Sequence, residues 1–228
     1  MSRKTILVTG GSRGIGRAIC ENLSTDYHIL VGGRTQESVR NVVESLPDVE
    51  PWVVDIMDED ALAQAAARIE RLDGLVLNAG IAFKGSIARA THDDWMRMLG
   101  MNVVAQADLI RYLLPALRTA RGQVVAINSG SGFFSIANGG LYAASKFALR
   151  ALTDALREEE RGCVRVSSIH PGRVDTDMQV ELQSTSNRPY DPSDHLRPAS
   201  IAAAVRLALE ATDDAIVEQI SVRPVKII

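Results

Sequence analysis

Tyr142 and Lys146 stand four residues apart in Tyr142-Ala143-Ala144-Ser145-Lys146. At the start of a helix that spacing puts both side chains on one face. A tyrosine by itself has a pKa near 10 and is a poor acid or base at neutral pH. A neighbouring ammonium stabilises the phenolate, so Lys146 is expected to draw that pKa down toward the working range. Ser129 precedes Tyr142 by thirteen residues, in Asn128-Ser129-Gly130-Ser131 at the end of a strand pattern. Strand C-termini are where ligands bind in open parallel sheets. Asn102 lies inside a long helical pattern. Asn competes for backbone hydrogen bonds and is a mediocre helix former, so it needs a local reason, a kink or a bound water. Asn102, Ser129, Tyr142 and Lys146 are therefore the candidate catalytic set.

A second group of residues suits an anion. Val8 leads into Thr9-Gly10-Gly11-Ser12-Arg13-Gly14-Ile15-Gly16, and a helical pattern follows at once. Glycines let the backbone turn tightly and let a pyrophosphate approach, while the helix N–H groups point at the anion. NAD-binding versions of such a unit carry Asp or Glu about 20 residues further on, for the ribose 2′-OH. Here the second strand ends in Val31-Gly32-Gly33-Arg34-Thr35, with no carboxylate. Arg34 suits a 2′-phosphate through charge-assisted, bidentate hydrogen bonds. Arg13 can approach the same phosphate; both arginines otherwise read as solvated surface charges. NADP(H) is the expected cofactor and NAD(H) the alternative. Asp55, in Val53-Val54-Asp55-Ile56, ends the third strand and can accept from an adenine amino group or cap the next segment. Asn78-Ala79-Gly80 ends the fourth. Asn78 can tie strand ends together and Gly80 permits close backbone approach, or the three form a simple turn.

The elements that must position these groups are legible as alternating short apolar runs and amphipathic segments. Strands are expected at Thr5–Val8, His28–Val31, Glu50–Val54, Gly74–Leu77, Gly122–Ile127, Val164–Ile169 and Glu218–Val222. Helices are expected at Gly14–Leu23, Gln36–Leu46, Glu59–Arg68, Thr91–Leu117, Ala143–Arg157 and Ser200–Leu209, with Thr91 and Ser200 as N-caps. Strands rich in Val, Ile and Leu with few charges are covered on both faces. The fold class is α/β: one Rossmann-type domain over 1–228, a doubly wound parallel sheet of about seven strands with helices on both faces. The stretch Asp175–Arg197, rich in Ser, Asp, Asn and Pro, reads as a substrate lid.

Composition narrows the classes. The 228 residues carry 25 Lys and Arg against 28 Asp and Glu, a net charge of −3, and 46% are hydrophobic. That apolar fraction builds a core and excludes a disordered chain. The slightly acidic balance argues against a nucleic-acid partner. No apolar run approaches the roughly 20 residues that span a bilayer, and no leader pattern precedes Thr5, so no membrane association and a cytoplasmic location are expected. Cys20 and Cys163 are too few for a disulfide framework and read as reduced thiols. No metal is expected.

In order and spacing, these motifs resemble the short-chain dehydrogenase/reductase family, in its single-domain branch. The resemblance rests on Thr9–Gly16, Asp55, Asn78–Gly80, Asn102, Ser129, Tyr142–Lys146 and Pro171-Gly172. It implies an oxidoreductase interconverting a ketone or aldehyde and an alcohol. Tyr142 would be the general acid–base, and Lys146 would bind the nicotinamide ribose and tune it. Ser129 would hydrogen-bond the substrate oxygen, and Asn102 would hold a water in a proton relay. Pro171, Gly172, Val174 and Thr176 would meet the nicotinamide end, and Ile56 would be a further cofactor-binding residue. It also implies a homodimer or homotetramer. A non-catalytic dinucleotide sensor or scaffold on the same fold is the alternative, though all four catalytic positions are occupied. Phe83, Phe133, Phe134, Met178, Leu182 and Tyr190 are the candidates for an apolar substrate pocket. His170, before Pro171, reads as a structural strand-end residue.

Overall fold

The computed structural model describes residues 3–184 and 189–226. Residues 185–188, within the expected lid, lie outside the described residues. Seven strands form one sheet: β1 (Thr5–Val8), β2 (His28–Gly33), β3 (Val49–Val53), β4 (Gly74–Leu77), β5 (Gln123–Ile127), β6 (Arg165–Pro171) and β7 (Gln219–Val222). Their order is β3-β2-β1-β4-β5-β6-β7, and every neighbouring pair is parallel. The order reverses between β1 and β4, so a crevice opens there at the strand C-termini.

The helices are α1 (Gly14–Leu23), α2 (Gln36–Ser45), α3 (Glu59–Ala66), α4 (His92–Leu99), α5 (Ala105–Ala120), α6 (Gly140–Glu159), α7 (Asp177–Gln183) and α8 (Pro198–Leu209). Alternation along the strands sorts them into two layers. Ile6 and Val8 face α1, α2 and α8, with Ile19, Cys20, Val39 and Val205 in that core. Leu7 faces the other side, where Leu62 of α3, Leu109 and Leu113 of α5 and Leu156 of α6 pack. Both faces are covered, which is why the central strands β1, β4 and β5 are almost wholly apolar.

Three expectations are corrected. The single helix Thr91–Leu117 is two: Gly100–Val104 makes a wide π turn between α4 and α5, and the apolar period runs through it without a break. Thr91 does cap the first piece, its hydroxyl accepting from Asp94 N–H at 3.1 Å while Asp94 accepts from Thr91 N–H at 3.0 Å. Ser200 is not a cap. Helix α8 begins at Pro198 after Arg197, because proline at the first helical position has its φ already set and no N–H to satisfy. The expected lid is not wholly irregular either, since Thr176 caps the short helix α7, accepting from Gln179 N–H at 3.3 Å. No helix among the described residues is long and apolar enough to cross a membrane.

Candidate active site

The glycine loop joins β1 to α1. Gly10 and Gly14 have φ of +62° and +53°, a left-handed region that favours glycine. Gly16 is required for space: a Cβ there would lie 2.1 Å from the Gly10 carbonyl oxygen. Arg13 occupies the N-cap of α1 without a capping hydrogen bond from its side chain, so no side chain of its own covers the amides of the first turn. Ile15 anchors that turn by packing on the core below. Ser12 is half-buried in the loop. Bare backbone, a free helix N-terminus and glycines where a Cβ would collide fit a dinucleotide pyrophosphate.

Thr9 and Asn78 lock the two strand ends at the crevice. The Thr9 hydroxyl donates to the Val76 carbonyl at 3.1 Å and accepts from the N–H groups of Asn78 and Ala79 at 3.0 and 3.1 Å. Asn78 Nδ2 donates to the carbonyls of Thr9 and Gly10 at 2.9 and 3.1 Å. Asn78 is thus a tie between strands, and its amide is what the loop rests on. Beneath the loop, Cys20 Sγ lies 4.0 Å from the Gly11 carbonyl oxygen, and burial pushes its thiol up to about 12.

Arg34 follows β2 directly and is exposed. Asp55 follows β3 two residues on, also exposed, with one carboxylate oxygen accepting from Met57 N–H at 3.0 Å. The helix after it is capped by Asp58, which accepts from Ala61 N–H at 3.0 Å; Asp55 is therefore not the helix cap. Ile56 is buried beside it. Arg13 leans across the crevice mouth to Asp177, with 3.7 Å between charged atoms that are both exposed. Thr176 also faces the loop, since a Cβ on Gly14 would meet its methyl at 3.3 Å. Pro171 and Val174 are buried on the way to α7, and Gly172 N–H pairs with the Val222 carbonyl at 2.7 Å.

On the other side, Asn102 sits in the π turn and is buried. Its Oδ1 accepts from Ile81 N–H at 2.9 Å, and its Nδ2 donates to the Ile81 carbonyl at 2.9 Å and to Ser145 Oγ at 3.0 Å. Ser145 Oγ in turn donates to the Tyr142 carbonyl at 2.8 Å. The side chain of Asn102 thereby pins the loop after β4 to the first turn of α6. The Tyr142 hydroxyl is hydrogen-bonded to Ser129, whose Oγ also accepts from Ser131 N–H at 3.1 Å.

The electrostatics of this pair differ from expectation. Burial pushes the Tyr142 phenol above its ordinary value of 10, with the Ser129 hydrogen bond pulling the other way. Lys146 supplies no lowering. Its ammonium is directed at the Ile127 carbonyl, 3.0 Å away, and lies 5.8 Å from the centre of the Tyr142 ring. Burial also brings Lys146 itself down to about 8. Helical spacing gives the shared face, but burial of both groups is a tertiary property that spacing does not carry.

Two residues of the site were not anticipated. Ser145 links Asn102 to Tyr142, and Gln106 donates to the carbonyls of Ala79 and Met101 at 3.1 and 3.0 Å. A Gln four residues after Asn102 on the buried stripe of a helix was the available signal for the second. Of the proposed apolar pocket, Phe133 and Phe134 are exposed near Ser129. Tyr190 is committed elsewhere: its hydroxyl donates to Asp175 at 2.6 Å and its ring stacks on His195 at 4.6 Å. Tyr190 is thereby tied to the stretch after β6 rather than lining a pocket.

Comparison with known proteins agrees with this geometry. Residues 4–187 match the family model described as short chain dehydrogenase. An uncharacterized oxidoreductase of Staphylococcus saprophyticus is 30% identical over 234 residues, covering 97% of each chain. A 3-amino-tetrahydro-pyrrolizinone reductase of Xenorhabdus hominickii is 29% identical over 85% of this chain and 69% of its own. Among solved structures, an alcohol dehydrogenase from the archaeon Thermococcus sibiricus, complexed with 5-hydroxy-NADP, superposes with a TM-score of 0.88 at 26% identity, covering 98% of this chain and 97% of that one. A metagenomic short-chain oxidoreductase in complex with NADP gives 0.83 at 29% identity, over 98% and 97%.

Proposed function

The chain belongs to the short-chain dehydrogenase/reductase family, and from that premise we propose that it is an NADP(H)-dependent enzyme interconverting a ketone or aldehyde and an alcohol. The observation that carries the reading is the meeting of the Tyr142 and Ser129 hydroxyls at the C-terminal edge of the same parallel sheet whose β1 end carries the glycine cradle. The dinucleotide would rest on Thr9–Gly16, with Arg34 and Arg13 at its 2′-phosphate, Asp55 and Ile56 at its adenine, and Asn78–Gly80, Lys146, Pro171, Gly172, Val174 and Thr176 toward its nicotinamide end. When bound, it supplies the hydride. Relatives that carry NADP or are alcohol dehydrogenases and reductases support the same reading.

The residues of the chain do the rest. Ser129 and Tyr142 both donate to the substrate oxygen, so donors are in place before negative charge develops there. Burial keeps the Tyr142 phenol protonated at neutral pH, which suits it to give its proton to that oxygen in the reductive direction. Lys146, held by the Ile127 carbonyl, places a positive charge near the ring as the phenolate forms. Asn102 holds the first turn of α6 through Ser145 and would keep a water for the return of the proton.

The test is NADPH and NADH binding side by side, followed by NADPH oxidation with a panel of aldehydes and ketones. Tight NADPH binding with turnover is expected. NADPH binding without turnover across the panel, matched by Tyr142→Phe, would favour a sensor. A preference for NADH would remove Arg34 from the cofactor assignment.

A further inference from the structure

His170 is the penultimate residue of β6 and is completely buried. Its Nδ1 lies 3.2 Å from the Ser129 carbonyl oxygen. A carbonyl only accepts, so the contact assigns the proton to Nδ1. Nε2 is buried and has no partner among the described residues. The same carbonyl takes the Gly132 N–H at 3.0 Å, closing the tight turn from Ser129 to Phe133. The Phe133 ring then folds back on the imidazole, 4.4 Å between centres. On its other side the Arg150 guanidinium lies 4.2 Å over Phe133. Arg223 closes the far end by donating to the His170 and Val222 carbonyls.

We infer that His170 is a positioning residue for Ser129, its Nδ1–H and its ring together holding the turn that carries the substrate-binding hydroxyl beside Tyr142. This rests on the reading that Ser129 and Tyr142 serve a carbonyl oxygen. Nδ1–H donates to that carbonyl in the neutral ring and in the imidazolium alike, so a second proton acts at the other nitrogen. A second proton would put an N–H on Nε2 with no acceptor, at a cost comparable to any buried unpaired donor. The charged groups facing the ring are Arg150 and Asp154 of α6 and Arg223 beyond β7. Burial, with the two guanidiniums, holds the imidazole below its ordinary 6.5 against the pull of the Ser129 carbonyl and Asp154. Ser129 is thus held through neutral pH, and in acid the ring must leave its place for Nε2–H to find an acceptor.

Two variants and one spectrum test it. In His170→Asn the amide Nδ2 can replace Nδ1 as donor, without titrating. In His170→Ala the donor and the ring are both lost. Nitrogen-15 spectra of histidine-labelled protein, with His170→Asn to identify the signal, should show a neutral Nδ1–H tautomer whose titration midpoint lies below the ordinary 6.5. With NADPH and a turned-over carbonyl, His170→Ala should lose about tenfold in kcat while NADPH affinity stays within about twofold. His170→Asn should recover most of kcat and lose the acid limb of the wild-type kcat/KM profile. An Nε2–H tautomer, an unimpaired His170→Ala, or an acid limb retained in His170→Asn would each overturn the inference. A wild type that shows the Nδ1–H tautomer but reduces no carbonyl would count against the carbonyl reading and leave the contact standing. If His170→Ala does not fold, the spectrum and His170→Asn still decide.

Discussion

The two sides of the crevice are built by opposite means. On the β1 side the surface is backbone: Gly10, Gly14 and Gly16 leave out side chains, and Thr9 and Asn78 brace the carbonyls from behind. On the β5 side it is side chain upon side chain: Ser129 over His170, His170 against Phe133, Phe133 under Arg150, and Asn102 through Ser145 to Tyr142. The first side has no tolerance for added volume. The second is sensitive to lost chemistry, because its polar groups are held by specific partners. A site that must grip a common cofactor and yet treat a particular substrate is served by that division.

The division predicts how each side breaks. Tyr142→Phe removes a hydroxyl and little volume. It should lower kcat by about 10²–10⁴ and leave NADPH affinity within about threefold. Substantial residual kcat would place the proton donor elsewhere. Gly16→Ala does the reverse, adding one methyl against the Gly10 carbonyl. It should weaken NADPH binding by roughly a hundredfold and lower the thermal midpoint by about 2–12 °C. Intact binding would mean that the loop yields, and that the first side is not rigid. Arg34→Ala sharpens the contrast within the cofactor side. NADPH affinity should fall about tenfold and NADH affinity should not change; equal losses would deny Arg34 the 2′-phosphate.

A separate effect, on stability and not on binding, concerns Lys146. Its value of about 8 in the folded chain lies below the ordinary 10.5. The unfolded chain therefore binds more protons between those two values, and stability rises with pH across that window. Relative to Lys146→Met, which has no such titration, the wild type should gain up to roughly 3 kcal/mol of unfolding free energy from pH 8 to 10.5. A constant difference between the two proteins across that range would show an ammonium that burial does not trouble.

Much of the cofactor side was legible because glycines and strand ends are local features. The strand β1 and the helix α1 begin and end where their apolar periods do. The substrate side was less so. Asn102 pointed to a break in its helix, but not to a π turn, because the buried stripe from Met98 through Gln106 to Leu113 continues across it. The short helix α7 was hidden in a polar stretch, where one capping threonine does what an apolar face does in a longer helix. Ser145 and His170 act through partners, the Asn102 amide and the Ser129 carbonyl, that only the folded chain brings near them. The pairing of Tyr142 with Lys146 was visible. Their burial, which sets the direction of both titrations, was not.

Cys20, under the Gly11 carbonyl, gives the β1 side a clock of its own. With its thiol at about 12, roughly one molecule in 10⁵ carries the reactive thiolate at pH 7 while the loop is closed. Alkylation of that sulfur therefore counts openings of the loop, much as amide exchange counts openings of a helix. Exposed Cys163 reacts on a separate and faster schedule. Any molecule that settles on the glycines should slow the first reaction and leave the second alone, so occupancy of the cradle can be timed without turnover and without a label.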